Sequence, residues 1–222
     1  MPPWLLQIAE LILDRSDDAF RKAWSQRLCE ALARLDNPVP FRLIHDWHAN
    51  TVSPLVIESC WERGLSMHEH EELREMHRRA WRADDGSEEA WRRALEPALH
   101  AVYFHSYPYQ EAFAVAADAG STYALLHGSS AVEAKKYGEQ YAELNTGANA
   151  RLFSAANAKA NSAAYAKAFV RSDHDLLARA YPGAYVQACA SLASTEHIGG
   201  PAGYARLGDG LIDSLGGCGG RA

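Results

Sequence analysis

The sequence predicts an all-α, single-domain bundle of about seven to nine helices, with one long Ala-rich helix over about 130–170 and no significant sheet. Three observations point there. Apolar residues recur at three- and four-residue spacing almost everywhere. No stretch sustains the period-two alternation of a half-buried strand. Caps and stops fall at helix-length intervals. The 222 residues, 48% hydrophobic and 23% charged, suffice for one packed core without disulfide or metal. One helical domain is expected over 1–215, followed by a flexible Gly-rich tail over 216–222.

The elements follow in order. After Pro2 and Pro3, the residues Trp4, Leu5, Ile8, Leu11 and Ile12 form one helical face. Ser16, Asp17 and Asp18 offer caps for a second helix with the stripe Phe20, Trp24, Leu28, Leu32 and Leu35, stopped by the segment from Asn37 to Pro40. A short amphipathic piece from Phe41 to His48 leads through Pro54 to a helix ending at Gly64. Ser66 and Glu69 have the spacing of a capping box for a helix reaching about Arg82. Asp84, Asp85 and Gly86 turn the chain, and Ser87 opens the next helix.

Pro97 predicts a kink or restart in that helix, and Tyr107-Pro108 a break. The long helix starts at Ser129 or Ser130, with Gly147 as its one point of interruption. A last substantial helix begins near Ser172 and Asp173 and is kinked at Pro182. The segment from Glu196 to Gly203 reads as a loop, and Leu207, Leu211, Ile212 and Leu215 as a short helix.

Charge and cysteine usage exclude several functions. The net charge of -6 opposes a nucleic-acid footprint. The arginines at 74, 78, 79, 82, 92 and 93 alternate with Glu71, Glu72, Glu75, Glu88 and Glu89, the pattern of a solvated, ion-paired helix face. Cys29, Cys60, Cys189 and Cys218 form no ligand pair and read as reduced thiols of a cytoplasmic protein. Glu10, Asp14 and Arg15 end the first apolar run before it could act as a signal peptide or membrane span. No Walker or G-x-G-x-x-G loop is present, and no cofactor is expected.

Two stretches stand out for function. One is a series at four-residue spacing, Tyr137, Tyr141, Asn145, Asn149, Phe153, Asn157, Asn161, Tyr165 and Phe169, set among alanines. Asparagine is a poor interior helix residue, so the repetition needs a reason. Either the amides and phenols hydrogen-bond across a close helix seam, or they line a cavity for a polyfunctional small molecule; the seam is the commoner use of such residues. The series drifts about 40° per step on a straight helix, so only each half forms a usable face.

The other stretch runs from Glu96 to Glu111 and concentrates His100, Tyr103, His105, Tyr107 and Tyr109 around Pro108. Glu96 and His100, four apart, have the spacing of an acid/base pair. An aromatic core helix with polar tips is the plain alternative.

Other clusters are weaker. His68, Glu72 and Glu75 have metal-ligand spacing, but no H-E-x-x-H is present, and an ion-paired surface explains them. His45, Asp46 and His48 are too close in sequence to share one direction by spacing alone. His127-Gly128-Ser129-Ser130 reads as a helix cap.

The expectation is a helical small-molecule-binding protein, an accessory or cyclising enzyme in kind. Glu96 and His100 are its proton-transfer pair. Tyr103, His105, Tyr107, Asn157, Asn161 and Tyr165 contact the ligand. The alternative is a non-catalytic interaction module of immunity or adaptor type. Expected partners are a small-molecule ligand and a second copy in a homo-oligomer, with no nucleic acid and no membrane.

Overall fold

The computed structural model describes residues 1–35, 38–84, 86–194 and 201–218, with the side chains of Pro201 and Cys218 excluded. Among the described residues the chain is helical with no strand. The helices are α1 (Pro3–Asp14), α2 (Asp18–Ala33), α3 (Leu43–Trp47), α4 (Ser53–Glu62), α5 (His68–Trp81), α6 (Glu88–His105), α7 (Tyr109–Leu126), α8 (Ala131–Arg171), α9 (His174–Arg179), α10 (Pro182–Leu192) and α11 (Pro201–Cys218). A π-helical turn, His48–Val52, joins α3 to α4. Pro54 accounts for it: proline has no N–H for the carbonyl four residues back, and the turn instead closes through the Ser53 N–H to the His48 carbonyl.

The local chemistry that starts the helices is visible. Asp17 accepts from the Phe20 N–H, Ser87 from Ala90, and Asp173 from Asp175 and Leu176. Ser130 and Glu133 form a reciprocal capping box at the head of α8. The box expected at Ser66 and Glu69 does not form. Met67 is the cap residue of α5, and the Ser66 hydroxyl donates to Glu69 Oε2 at 2.7 Å.

The helix interiors differ from expectation at three positions. α6 runs unbroken through Pro97, because its buried residues Leu95, Ala98, Leu99 and Val102 anchor it on both sides of the proline. Pro97 and Arg93 are both exposed, so the carbonyl that loses its partner lies on the solvent side. α8 continues through Gly147, its ladder supported by neighbours along its whole length. Pro182 begins α10 rather than kinking one helix, with Tyr181 before it at φ 50. The Pro108 break is present. Helix α11 extends through Gly216, Gly217 and Cys218, and the rest of the expected tail lies outside the described residues. The expected loop over Glu196 to Gly203 does too, except that Pro201 already begins α11.

Two regions result. In the body, α1 to α6, α9 to α11 and the C-terminal half of α8 enclose one apolar core in which Trp4, Trp24, Trp47 and Trp91 are fully buried. The second region is an arm. Helices α6 and α7 lie one after the other along α8, antiparallel to it: Tyr103 meets Asn161, and Gly120 meets Gly138. α6 thus covers the C-terminal half, while α7 covers the N-terminal half and packs on no other helix to a comparable extent.

α8 is organised with a period of four. Its buried seam is Ala134, Gly138, Ala142, Thr146, Ala150, Ser154, Ala158, Ser162 and Ala166. This stripe winds by about 40° per step, which is tolerated because the partner changes from α7 to α6 half-way. The small side chains permit close approach: a Cβ on Gly120 would lie 3.0 Å from the Gly138 Cα, and one on Gly138 would overlap Ser121 Oγ and the Ala117 carbonyl. The Tyr/Asn series sits one residue before the seam and flanks it. Small residues give the close approach, as the seam reading expects, and Asn161 hydrogen-bonds across to Tyr103 of α6, whereas Asn145, Asn149 and Asn157 bond within α8.

Candidate functional site

The break between α6 and α7 leaves room. There, α6, α8 and α10 surround a solvent-open cavity of about 400 Å³ lined by Tyr103, Ser106, Tyr107, Pro108, Phe153, Asn157, Asn161, Ala184, Gln187, Ala188 and Ser191. At its inner wall Asn161 Nδ2 donates to the Tyr103 hydroxyl at 2.7 Å. Phe153 stands edge-on to Tyr103 and tilted against Tyr107, with ring centroids 6.5 and 5.9 Å away. Asn157 Nδ2 donates to the Phe153 carbonyl at 2.8 Å, which leaves its side-chain oxygen as an unused acceptor.

The lining carries no carboxylate, imidazole, ammonium or guanidinium group. Its only titratable groups are phenols. Burial, partly offset by the Asn161 hydrogen bond, pushes the Tyr103 phenol up to about 12, so it remains protonated throughout the neutral range. The cavity is therefore a neutral one, with aromatic walls and amide and hydroxyl hydrogen-bonding groups.

Four of the residues singled out from sequence, Tyr103, Tyr107, Asn157 and Asn161, meet in this cavity. The others do not. Tyr165 lies deeper, 3% exposed, stacked on Phe169 and tilted against Tyr185 with centroids 6.1 and 6.3 Å apart. Its hydroxyl has no hydrogen-bond partner. His105 is outside the lining and half-buried, its basicity lowered by burial, then by Arg63 and His100.

Glu96 and His100 border a different depression, with Glu69, Arg93 and Ala155, and make no ion pair or hydrogen bond with each other. His100 stacks on Phe104 instead, at 6.2 Å. Helix geometry is the reason. Ala155 of α8, which borders this depression, lies about 160° from Asn157 on the α8 wheel at ~100° per residue, so the two hollows open on opposite sides of the contact between α6 and α8.

The most unusual chemical feature lies behind the cavity and escaped the sequence reading. His45, His48 and His77 are 2%, 5% and 0% exposed and contact one another in the core. The Nδ1 atoms of His45 and His77 are 3.0 Å apart, so one donates and the other accepts. His48 stacks on His77 at 4.6 Å and on Tyr185 at 5.7 Å. Trp91 stacks on His45, and Phe169 stands edge-on to His45, His77 and Trp91.

Burial lowers His45 to about 3. Burial and the neighbouring His45 lower His48 to about 3, and burial with both neighbours puts His77 well below its ordinary value. All three are neutral at physiological pH. His48 Nδ1 and His77 Nε2 have no partner.

Among the described residues, no group of three or more His, Cys, Asp or Glu side chains is arranged to hold a metal ion. The stacking of His48 on His77, with planes 16° apart, explains this for the box: ring lone pairs lie in near-parallel planes and do not converge. Two signals for the box were present in the sequence. His70, Leu73, His77 and Ala80 form the buried stripe of α5, so its histidines occupy core positions. His45 and His48 share a helix face at i, i+3, and their partner lies on another helix, beyond the reach of a search by local offsets.

The remaining clusters are structural. His68 Nε2 lies 3.3 Å from Glu72 Oε1 on the exposed face of α5, and Arg78 and Arg92 lie 3.7 and 3.8 Å from Glu75 and Glu89. Cys29, Cys60 and Cys189 are free thiols. Among the described residues no helix is long and apolar enough to cross a membrane. A scan against protein-family models and searches of curated proteins and solved structures find no match to this chain.

Proposed function

We propose that this protein binds an uncharged, hydroxylated aromatic small molecule in the cavity between α6, α8 and α10. The observation that carries the reading is the Asn161–Tyr103 hydrogen bond in the wall of a neutral, aromatic cavity, with Phe153 and Tyr107 beside it. A cavity of about 400 Å³ suits a ligand of roughly twenty non-hydrogen atoms, in the lower part of the range for small-molecule sites. Aromatic walls favour a planar ring system. Amides and hydroxyls favour carbonyl and hydroxyl substituents, and the lack of charged side chains in the lining disfavours ionic ligands.

Binding, rather than acid/base catalysis, is the activity this lining supports. The Tyr103 phenol stays protonated, and Glu96 and His100 border another surface. The reading includes a cytoplasmic location, supported by the free thiols.

The test is a thermal-shift screen with uncharged flavonoid and anthraquinone aglycones, followed by calorimetric titration of hits. A ligand at one hundred times its Kd stabilises the native state by about 2.7 kcal/mol. Asn161→Leu and Phe153→Ala should each weaken a hit about tenfold or more. A panel without a single shift, or hits indifferent to both substitutions, refutes the reading.

A further inference from the structure

We infer that the arm formed by α7 and the N-terminal half of α8 is a docking surface for the arm of a second copy of this chain. The inference is independent of the ligand cavity. It rests on how the arm is built.

The arm's internal seam consists of Ala, Gly, Thr and Ser, with Gly120 and Gly138 at its closest approach. Such a seam buries little apolar area, and an isolated pair of helices of this length is marginal in water. The large apolar side chains of the arm point outward instead. Val115, Leu126 and Leu144 are 72, 80 and 76% exposed, and Tyr123, Tyr137 and Tyr141 are exposed beside them.

Most of these side chains gather on one side, with the exposed Leu125 on the other. With a period of four, α8 has four columns. The seam is one. On one side of it lies the exposed, charged column Lys135, Glu139, Glu143 and Arg151, which marks the solvent face. On the other side lie Tyr137 and Tyr141, and the outer column next to them carries Lys136 and Gln140 before Leu144. Tyr123 of α7 joins this side, stacked on Tyr137 at 6.0 Å, and Tyr137 stacks on Tyr141 at 6.5 Å. Val115, Tyr123 and Leu126 fall within about 80° on the α7 wheel. Tyr123, Tyr137 and Tyr141 border a hollow of about 370 Å³ over Gly120.

With the alanines between them, these residues present on the order of 800 Å² per copy, the area each partner contributes to an interface of standard size. A second copy is the occupant because an arm that cannot bury its own apolar face needs a partner whenever the chain folds, and another copy is present at every synthesis. Two arms related by a two-fold axis supply the same face to each other and complete a four-helix bundle.

The experiment uses the full chain: sedimentation equilibrium at micromolar concentration, with hydrogen exchange mapped over 109–150. The expected mass is twice the 24.4 kDa of one chain. The double variant Leu126→Glu, Leu144→Glu should be monomeric, with arm amides exchanging about tenfold or more faster and the body unchanged; both positions are exposed within one chain, so its fold does not depend on them. The charge swap Lys135→Glu, Glu143→Lys on the opposite column should remain dimeric. A monomeric wild-type chain with a protected arm overturns the inference. So does a dimer unaffected by the double variant, or a monomer whose arm is covered by a different, stoichiometric protein.

Discussion

The body and the arm are made from the same helical alphabet but hold together by opposite means. The body buries four tryptophans, four histidines and a dense aliphatic set among many short helices. The arm joins two helices through side chains no larger than threonine and leaves its bulky residues outside. Stability in the body comes from the volume and area of what is buried, whereas in the arm it comes from closeness of approach. The ligand cavity lies at the junction, where Pro108 ends the continuous cover over α8.

The sharpest way to break this comparison is to remove volume from the body. Trp91→Ala or Phe169→Ala empties space against the histidine box and should cost about 3–5 kcal/mol, read by denaturant unfolding. Equivalent truncations in the arm, such as Leu144→Ala, should fall within about 0.5 kcal/mol for the monomer. Comparable costs in both regions would show that the arm has a core of its own.

The second prediction concerns acid. In the folded chain His45 and His48 keep their imidazoles neutral down to about 3, and His77 to well below its ordinary value, while in the unfolded chain each takes up a proton as pH falls through ~6.5. The unfolded state thus binds more protons throughout this window. The stabilisation is complete above it and is lost as pH falls toward 3, by up to about 1.4 kcal/mol per pH unit for each histidine. No carboxylate stacks on the three rings to offset this; their ring contacts are Phe41, Trp47, Trp91, Phe169 and Tyr185. Melting followed between pH 7 and 4 should fall steeply, and His48→Phe should flatten the slope. A flat profile in the wild type would contradict the buried, neutral box.

The arm gives the third prediction. Gly138→Val forces a side chain into Ser121 and the Ala117 backbone and should loosen the arm by about 1–3 kcal/mol, seen as faster exchange over 109–150 with the body unchanged. The smallest effect is expected at the surface depression. Glu96→Gln and His100→Ala should change stability by less than about 0.5 kcal/mol and leave ligand binding unaltered.

What could be read in advance follows the same division. Caps, stops and the long Ala-rich helix are local properties of Asp17, Ser87, Ser130, Asp173 and Pro108, and residue type together with periodicity located them. Asn157 and Asn161 were legible because asparagines repeating at four-residue spacing are costly in a helix, and Tyr103 and Tyr107 because titratable and aromatic side chains crowd the stretch before Pro108; the four share a cavity. Their neighbours Glu96 and His100 border a separate depression: a four-residue offset gives two residues a common face but does not say which side of the neighbouring helix that face meets. The histidine box was missed because its contacts join α3, α5, α6, α8 and α10, and no local offset records such a meeting. The close approach of small residues was legible from the alanines around the Tyr/Asn series, and each seam position from Gly138 to Ala166 lies one residue after a member of it.

The most direct test of the ligand-binding reading is a calorimetric titration of the wild-type chain and Asn161→Leu with an uncharged flavonoid or anthraquinone aglycone that raises the melting temperature. The account predicts one site per chain, with affinity about tenfold or more weaker in the variant and unchanged by Glu96→Gln. Equal affinity in wild type and Asn161→Leu, or loss of binding on Glu96→Gln alone, would place the ligand elsewhere and contradict it.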